Sequence, residues 1–161
     1  MIVIVGFMGA GKTTVGQLVA GKLGVPFLDS DHVIEARAGR PIRHIFETDG
    51  EPGFREFEHK VIADLLAGPP AVLALGGGAA GHDKTQALLK SPDVKVVYLR
   101  VGYAEALARV GGDEGRPMLA RPDIAAVYES RQEIYSSVAT LTIDTDSRTP
   151  ESAVSDILAC L

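Results

Sequence analysis

The sequence predicts an α/β fold in which one five-stranded parallel sheet is covered by helices on both faces. Five short apolar runs, at about residues 2–5, 25–28, 71–75, 95–99 and 140–143, alternate with helical patterns. Strands that alternate with helices form parallel βαβ units, and near-continuous apolar strands are typical of a sheet buried on both faces. Because the chain has 161 residues, we expect a single domain over residues 1–161.

The helices between these strands are predicted from apolar periodicity and from their end signals. They are expected at about residues 14–23, 32–38, 41–46, 54–66, 84–89, 104–110, 124–136 and 150–161. Gly24, Gly39 and Gly50 mark helix ends, and Pro41 and Pro150 mark helix starts. The stretch "GGDEGRPMLARPD" lacks periodicity, so we predict an exposed loop at about residues 111–122, of a length that is often functional.

Composition limits the classes of function. The net charge is −5 and the pI is about 5.3, which argues against general binding to nucleic acid or anionic membranes. Cys160 is the one cysteine, so no intrachain disulfide can form, and a reducing cytoplasm fits. We expect no signal peptide and no membrane span, since no apolar run has the required length and flanks. Nothing in the sequence requires a dimer, so we expect a monomer.

The first apolar strand runs into "GFMGAGKT", which matches G-x-x-x-x-G-K-[ST] from Gly6 to Thr13. In this pattern glycines let successive backbone N–H groups point into one hollow, and the helix that follows adds its positive N-terminus. The lysine reaches the β- and γ-phosphates, and the hydroxyl of Thr13 is placed to bind Mg²⁺. The alternative is a plain glycine-rich turn. We therefore predict nucleotide phosphate binding by the loop residues Gly9, Ala10, Gly11, Lys12, Thr13 and Thr14.

Two absences suggest what is done to the phosphate. The strand in "AVLALGGG" ends in glycines, where many motor and GTPase relatives have an acidic residue. The N-K-x-D pattern that reads guanine in GTPases is also absent. Both absences favour phosphoryl transfer to a small molecule.

The segment "FLDSD" places Asp29 and Asp31 just beyond the second strand, at the sheet edge where ligands of open α/β sheets bind. If the strand continues, both carboxylates point the same way. One can support Mg²⁺ and the other can accept a hydrogen bond from a hydroxyl substrate. The alternative is a helix N-cap formed by Ser30 or Asp31.

These motifs together resemble the shikimate kinase family. "GFMGAGKTT", "FLDSD", "IFETDGEPGFREFE", "LALGGG", "GRPML" and "SRQEIY" occur in the order and at about the spacing of that family, over nearly the whole chain. The resemblance implies a three-layer α/β/α P-loop kinase fold with a mobile lid. It also implies transfer of the γ-phosphoryl of MgATP to the 3-hydroxyl of shikimate, giving shikimate 3-phosphate and ADP, in aromatic amino acid biosynthesis.

The resemblance also implies residues that bind the acceptor, within a region of about residues 31–60 and in two later segments. Arg55 and Arg131 match arginines that grip the carboxylate of shikimate, and two guanidiniums would orient it. Asp31 matches the aspartate that bonds the substrate hydroxyls, and is the candidate for orienting the attacking oxygen or accepting its proton. The remaining implied acceptor residues are Glu58, Phe46, Phe54, Gly76, Gly77 and Gly78.

Alternatives stay open for several of these residues. Glu58 is interpreted as a support for Arg55, but it could be an ordinary helix-surface charge. Phe46 could be plain core. The three glycines are expected to lie against the substrate ring, where any side chain would collide with the ligand; a tight turn at a strand end is the alternative.

On the nucleotide side, the resemblance implies that Arg116, in "GRPML", closes over the γ-phosphate when the lid shuts, excluding water. Arg109 matches an arginine that stacks on adenine, and Arg148 and Pro150 match the segment on the other side of the base. Asp29 matches an acid that holds Mg²⁺ through water, together with Thr13.

Other residues and other functions are weighed against this interpretation. The four histidines show no shared ligand spacing, so we expect no transition metal and interpret them as surface or capping residues. A gluconate-type sugar-acid kinase or a nucleoside monophosphate kinase is the alternative within the class, although no base pocket for a nucleotide acceptor is evident. A regulatory module that binds nucleotide without transfer is the alternative outside it.

Overall fold

A computed structural model of the chain describes residues 1–111 and 121–161. Five strands form one parallel sheet in the order β2-β3-β1-β4-β5, which confirms the predicted sheet. The strands are β1 Ile2–Val5, β2 Phe27–Asp29, β3 Val72–Ala74, β4 Lys95–Arg100 and β5 Leu141–Asp144. The helices of the described ranges are α1 Lys12–Leu23, α2 Ser30–Ala38, α3 Ile42–Leu66, α4 Asp83–Leu89, α5 Tyr103–Val110, α6 Ile124–Val138 and α7 Pro150–Ala159, with a 3-10 turn at Ala79–Gly81.

Helices cover both faces of the sheet, as expected. On β1, the side chain of Ile4 reaches Gly16 of α1. Successive side chains of a strand point to opposite faces, so Val5 points away from α1. Tyr98 is the register partner of Val5 in the adjacent strand β4, and its ring lies 5.3 Å from that of Tyr135 on α6. Helices α1 and α6 therefore lie on opposite faces.

The central strands are fully buried, as their apolar sequences require. Val3, Ile4, Val72, Leu73 and Leu99 are all 0% exposed and belong to the main hydrophobic core. A second, smaller cluster lies between α2 and α3. Its buried members are Ile34, Ile45, Phe54 and Val61. This second cluster anchors α3, which bears several of the predicted acceptor residues.

Helix α2 begins two residues earlier than predicted, and its cap differs from the expected one. The side chain of Asp29, with its Oδ1 atom, accepts the backbone N–H groups of Asp31 at 2.9 Å and of His32 at 3.4 Å. Asp29 is thus the N-cap, and the expectation of a cap at Ser30 or Asp31 is wrong. The strand ends at Asp29, so the assumption that it continues through Asp31 is also wrong.

Helix α3 is one element where the sequence predicted two. Gly50 has φ 71° and ψ 175° and interrupts the helix, which is where the first of the two was expected to end. Pro52 follows directly, in the first turn after the break, where a proline costs no helical hydrogen bond. The two segments therefore meet at a sharp bend.

The predicted lid, about residues 111–122, lies almost wholly outside the described residues, and so does Arg116. Among the described helices, none is both long enough and apolar enough to cross a bilayer.

Candidate active site

The predicted phosphate loop connects β1 to α1 at the carboxyl edge of the sheet. Gly9 and Gly11 have φ values of 77° and 86°, in the left-handed region that favours glycine. Gly11 is the N-cap of α1 and provides no side-chain cap, and the first turn of α1 contains no acidic residue. The start of α1 therefore offers backbone N–H groups and a favourable helix dipole to an external anion.

Lys12 is partly buried and folds back over this loop. Its Nζ atom donates to the carbonyl oxygens of Gly6 at 2.9 Å and Phe7 at 3.2 Å. Thr13 and Thr14, the next two residues of α1, are exposed. The arrangement places one ammonium group and two accessible hydroxyl residues at the same helix start.

A cavity of about 470 Å³ opens beside the loop. Seven of the residues that the sequence or the resemblance assigned to nucleotide binding line this cavity. They are Gly9, Ala10, Gly11, Thr14, Arg109, Arg148 and Pro150. Sequence reasoning missed Glu105, Thr145, Ser147 and Thr149, which also line the cavity. The structure thus brings together three segments that are distant in sequence, at residues 9–15, 105–109 and 145–153.

Arg109 joins two of these segments. Its Nη1 atom donates to the carbonyl of Gly9 at 3.1 Å, and its Nη2 atom donates to the carbonyl of Thr145 at 2.7 Å. Glu105, one turn earlier on α5, accepts from Arg109 Nε at 3.0 Å. Since these bonds lie in the plane of the guanidinium, its position is fixed while its flat face stays available for stacking.

Asp31 lies within the electrostatic influence of both the phosphate loop and the acceptor region. Burial raises the pKa of Asp31, and the nearby carboxylate of Asp29 raises it further, whereas Lys12 and Arg55 lower it. Asp31 is also beside Gly76, where a Cβ atom would lie 2.4 Å from Asp31 Oδ1. A carboxylate between two cations, with a raised pKa, suits a group that receives a proton.

The three glycines after β3 each face a different functional side chain. Added Cβ atoms would lie 2.4 Å from Asp31 Oδ1 at Gly76, 3.0 Å from Arg131 Nη1 at Gly77 and 2.2 Å from Arg55 Nη2 at Gly78. None of the three has a positive φ. We expected that a side chain at any of these positions would collide with the ligand. The structure adds a second reason for glycine, because the protein's own acidic and basic groups already occupy the space.

Arg55 and Glu58 form a close ion pair within α3. Arg55 Nη1 lies 2.6 Å from Glu58 Oε2, and the side chain of Glu58 is only 2% exposed. The alternative that Glu58 is an ordinary surface charge is therefore wrong. Burial raises the pKa of Glu58, and Arg55 acts against this shift. Glu58 holds the guanidinium from one side and leaves its other edge facing Gly78.

Arg131 differs from Arg55 in its partners. Within residues 1–111 and 121–161, no acidic side chain lies within ion-pair distance of its guanidinium. Burial lowers the pKa of Arg131, and the charge of Arg55 lowers it further. Two partly buried guanidiniums thus repel each other across a cavity of about 450 Å³ that both line. An anion between them would relieve this repulsion.

Phe46 and Phe54 were expected as pocket walls, but neither lines this cavity. Their rings lie 4.4 Å apart, and both belong to the second hydrophobic cluster. Arg55 Cζ lies 5.1 Å from the centre of the Phe54 ring. Phe54 therefore backs the arginine from behind, and Phe46 packs in the core, which was the alternative for that residue.

Sequence reasoning missed part of the acceptor cavity. The residues not anticipated are Glu51, Pro52, Gly81, His82, Ser130, Ile134 and Tyr135. Tyr135 could have been found from its spacing, because residues four apart on a helix share a face and Arg131 was already assigned. His82 could not have been found, because no local pattern indicates that its ring stacks on that of His59, 5.2 Å away, or that its side chain makes no capping hydrogen bond. His82 is the N-cap residue of α4, which agrees with the expectation of a surface or capping residue, although its side chain makes no capping hydrogen bond.

The predicted magnesium residues offer hard oxygen donors. Thr13 provides an exposed hydroxyl. Asp29 accepts its two capping N–H groups with Oδ1, and neither of these two bonds uses Oδ2. Mg²⁺ prefers oxygen ligands, takes few from protein and completes its shell with water and phosphate. In the described residues there is no group of three or more His, Cys, Asp or Glu side chains placed to hold a metal ion. The donors present fit a magnesium ion that arrives with a nucleotide.

Comparisons with known proteins agree with this geometry. The family model described as shikimate kinase matches residues 8–161. The chain is 47% identical to the shikimate kinase of Thermobifida fusca over 156 residues, which cover 95% of this chain and 90% of that protein. It is 44% identical to the shikimate kinase of Pseudomonas entomophila over 161 residues, covering 98% and 93%. The structure of shikimate kinase from Acinetobacter baumannii in complex with shikimate matches with a TM-score of 0.91 and 39% identity, covering 99% of this chain and 90% of that one. The chain belongs to the shikimate kinase family.

Proposed function

We propose that the chain transfers the γ-phosphoryl group of ATP to the 3-hydroxyl of shikimate, releasing ADP and shikimate 3-phosphate. Family membership implies a kinase with ATP as co-substrate. The observation that supports this acceptor is the pair Arg55 and Arg131, two guanidiniums that line one small cavity close to the phosphate loop. A small carboxylic acid with hydroxyl groups matches two cations that line one cavity and a carboxylate, Asp31, beside the adjoining Gly76.

The phosphate loop and its lysine would hold the nucleotide. The N–H groups at the start of α1 bind the phosphate oxygens, and Lys12 moves from the Gly6 and Phe7 carbonyls to the β- and γ-phosphates. The base occupies the cavity that contains Arg109, Arg148 and Pro150. Thr13 and Asp29 would hold Mg²⁺, Asp29 through water. When bound, the ion neutralises charge on the transferring phosphoryl group.

At the acceptor side, the carboxylate of the substrate bridges Arg55 and Arg131. Its 3-hydroxyl then faces Asp31, which accepts the proton as the oxygen attacks the γ-phosphorus. The new phosphorus–oxygen bond forms as the bond to the β,γ-bridging oxygen breaks, and ADP leaves with that oxygen. Arg116, outside the described residues, is proposed to balance charge on the transferring group. A monomeric state and a cytoplasmic location stay predictions.

The direct test is ADP release by the wild-type protein with ATP and Mg²⁺, measured in a coupled assay with shikimate, gluconate or AMP as acceptor. We expect turnover only with shikimate. Turnover with gluconate would favour the sugar-acid kinase, and turnover with AMP would favour the nucleoside monophosphate kinase. Tight ATP binding with no acceptor turned over would favour the regulatory module. Omitting Mg²⁺ and adding a chelator should abolish release.

A further inference from the structure

Tyr135 is a buried residue at the base of the acceptor cavity. It lies on α6, one turn after Arg131, and is 1% exposed although it lines the cavity. Its hydroxyl donates to the carbonyl oxygen of Gly77 at 2.6 Å. Because Gly77 is the middle residue of the glycine turn, this bond ties the turn to the helix that bears Arg131.

The same glycine is also the point of closest approach to Arg131. A Cβ atom at Gly77 would lie 3.0 Å from Arg131 Nη1 and 3.5 Å from the Tyr135 hydroxyl. The guanidinium and the hydroxyl therefore lie beside each other over one backbone unit. Arg131 also lies over the ring of Phe7, with its Cζ atom 6.0 Å from the ring centre.

Arg131 needs such support because no carboxylate holds it within the described ranges, whereas Arg55 has Glu58. An arginine that is free to rotate loses side-chain entropy when it binds a ligand. Burial raises the pKa of Tyr135 to about 12, so its hydroxyl stays protonated at neutral pH. It can donate to Gly77 and still accept from a neighbouring N–H.

We propose that Tyr135 is a positioning residue for acceptor binding: it fixes the Gly77 backbone and the Arg131 guanidinium relative to each other before the acceptor carboxylate arrives. This inference rests on the proposed function of the cavity. Tyr135 does not touch the reacting atoms, so it acts on acceptor affinity and leaves the nucleotide site alone.

The test is Tyr135→Phe, compared with Tyr98→Phe as a matched control. Tyr98 is equally buried, its ring lies 5.3 Å from that of Tyr135, and its hydroxyl donates to Gln132, also on α6. Tyr98 does not line the acceptor cavity, so Tyr98→Phe removes a similar hydroxyl, bonded to Gln132, without touching that cavity. We expect Tyr135→Phe to raise the shikimate KM roughly tenfold, with the ATP KM and kcat within about twofold of wild type. Tyr98→Phe should leave all three within about twofold.

A double-mutant cycle with Arg131→Ala separates positioning from general loosening of the fold. If Tyr135 acts through Arg131, adding Tyr135→Phe to Arg131→Ala should change kcat/KM for shikimate by less than about twofold. The proposal would be overturned if the losses in kcat/KM from Tyr135→Phe and Arg131→Ala multiplied in the double variant. It would also be overturned if Tyr135→Phe left the shikimate KM unchanged, or raised the ATP KM as much as the shikimate KM. KM does not depend on the amount of folded enzyme, so partial unfolding of a variant does not obscure the result. A wild-type protein that fails to turn over shikimate would instead overturn the proposed function.

Discussion

Two glycine-rich turns lie next to each other at the carboxyl edge of the sheet, after the neighbouring strands β1 and β3. In the first turn, Gly9 and Gly11 adopt positive φ, and a Cβ at Gly9 would also lie 2.7 Å from the backbone oxygen of Ala106. In the second, Gly77 and Gly78 have ordinary backbone conformations, and an added Cβ would meet only side-chain atoms. The first turn needs glycine for its own shape, whereas the second needs it to make room for groups from distant helices.

The difference teaches that similar glycine patterns can have unrelated physical causes. The first turn is defined by a contiguous segment, residues 6–13, and presents backbone N–H groups. The second is defined by what α2, α3 and α6 place over it, and presents side-chain charge. Substitutions in the first turn should therefore disturb the nucleotide and the fold, and substitutions around the second should disturb the acceptor.

The largest effect is expected from Lys12→Ala in the first turn. Removing the ammonium group takes away a cation that would stabilise the transferring phosphoryl group, so kcat should fall by about 10³-fold or more. The protein should stay folded, because Lys12 is not a member of the buried core. Lys22→Ala, on the exposed end of the same helix, is the control. Full activity in Lys12→Ala would show that the first turn does not handle the phosphate.

Arg55→Ala tests the second turn by removing the guanidinium that lies against Gly78. Loss of a charge-assisted contact to the substrate carboxylate should raise the shikimate KM by about 50- to 100-fold and leave the ATP KM nearly unchanged. Initial rates at varied shikimate and varied ATP measure both constants. Arg43 is an exposed arginine of the same helix that forms an ion pair with Glu47, and Arg43→Ala should change neither constant. An equal rise in both KM values for Arg55→Ala would refute the acceptor assignment.

A direct comparison of the turns pairs Gly9→Ala with Gly78→Ala. Gly9→Ala should lower the free energy of unfolding by about 1–3 kcal/mol, because its φ of 77° is strained for alanine. Gly78→Ala should cost little stability, since the flexible end of Arg55 can move away. That displacement should raise the shikimate KM by roughly tenfold.

Urea unfolding and steady-state kinetics on the two glycine variants measure these effects. If Gly78→Ala proves the less stable variant, or if it raises the ATP KM as much as the shikimate KM, the distinction between the turns fails. The wild-type protein measured in parallel provides the reference for both quantities.

The smallest effect concerns the pH dependence of stability at Asp31, beside Gly76. Because the pKa of Asp31 is raised by burial first and by Asp29 second, its charged form opposes folding. The cost is full at pH values above the raised pKa and disappears below the unfolded value of about 3.9. Asp31→Asn should therefore be more stable than wild type at pH 7, by about 1 kcal/mol, although it loses activity.

Urea unfolding at several pH values from 4 to 8 tests this sign. The stability difference between Asp31→Asn and wild type should shrink as the pH falls. Asp93→Asn, at an exposed position, is the control and should stay within about 0.5 kcal/mol of wild type throughout. A variant less stable than wild type at pH 7 would show that the Asp31 charge is favourable in the folded protein.

The sheet and the first turn could be predicted because their causes are local. Apolar strands, alternating helices and a contiguous loop specify them without reference to the rest of the chain. Details that depend on competition between neighbours were missed. Asp29 was preferred over Ser30 as the cap because the strand ends at Asp29 and does not continue through Asp31, which leaves the Asp29 side chain beside the first N–H groups of α2.

The acceptor cavity was only partly predictable because it is assembled from distant segments. That Glu58 is buried, that Phe54 backs Arg55 and that His82 stacks on His59 all depend on how α3 packs against the rest of the chain, which no local pattern specifies. The family resemblance placed Arg55 and Arg131 in one region, but it could not explain which side chain each glycine accommodates.

The glycine turn after β3 also limits how this protein could evolve toward another acceptor. Each of its three positions faces a different charged side chain, so enlarging any one of them would disturb a group of the proposed acceptor site. Natural or laboratory selection for a new acceptor would therefore leave the turn untouched and accumulate its changes on the facing surfaces of α3 and α6. Positions such as Ser130 and Ile134, which border the cavity without an ionic role, are where such diversification would begin.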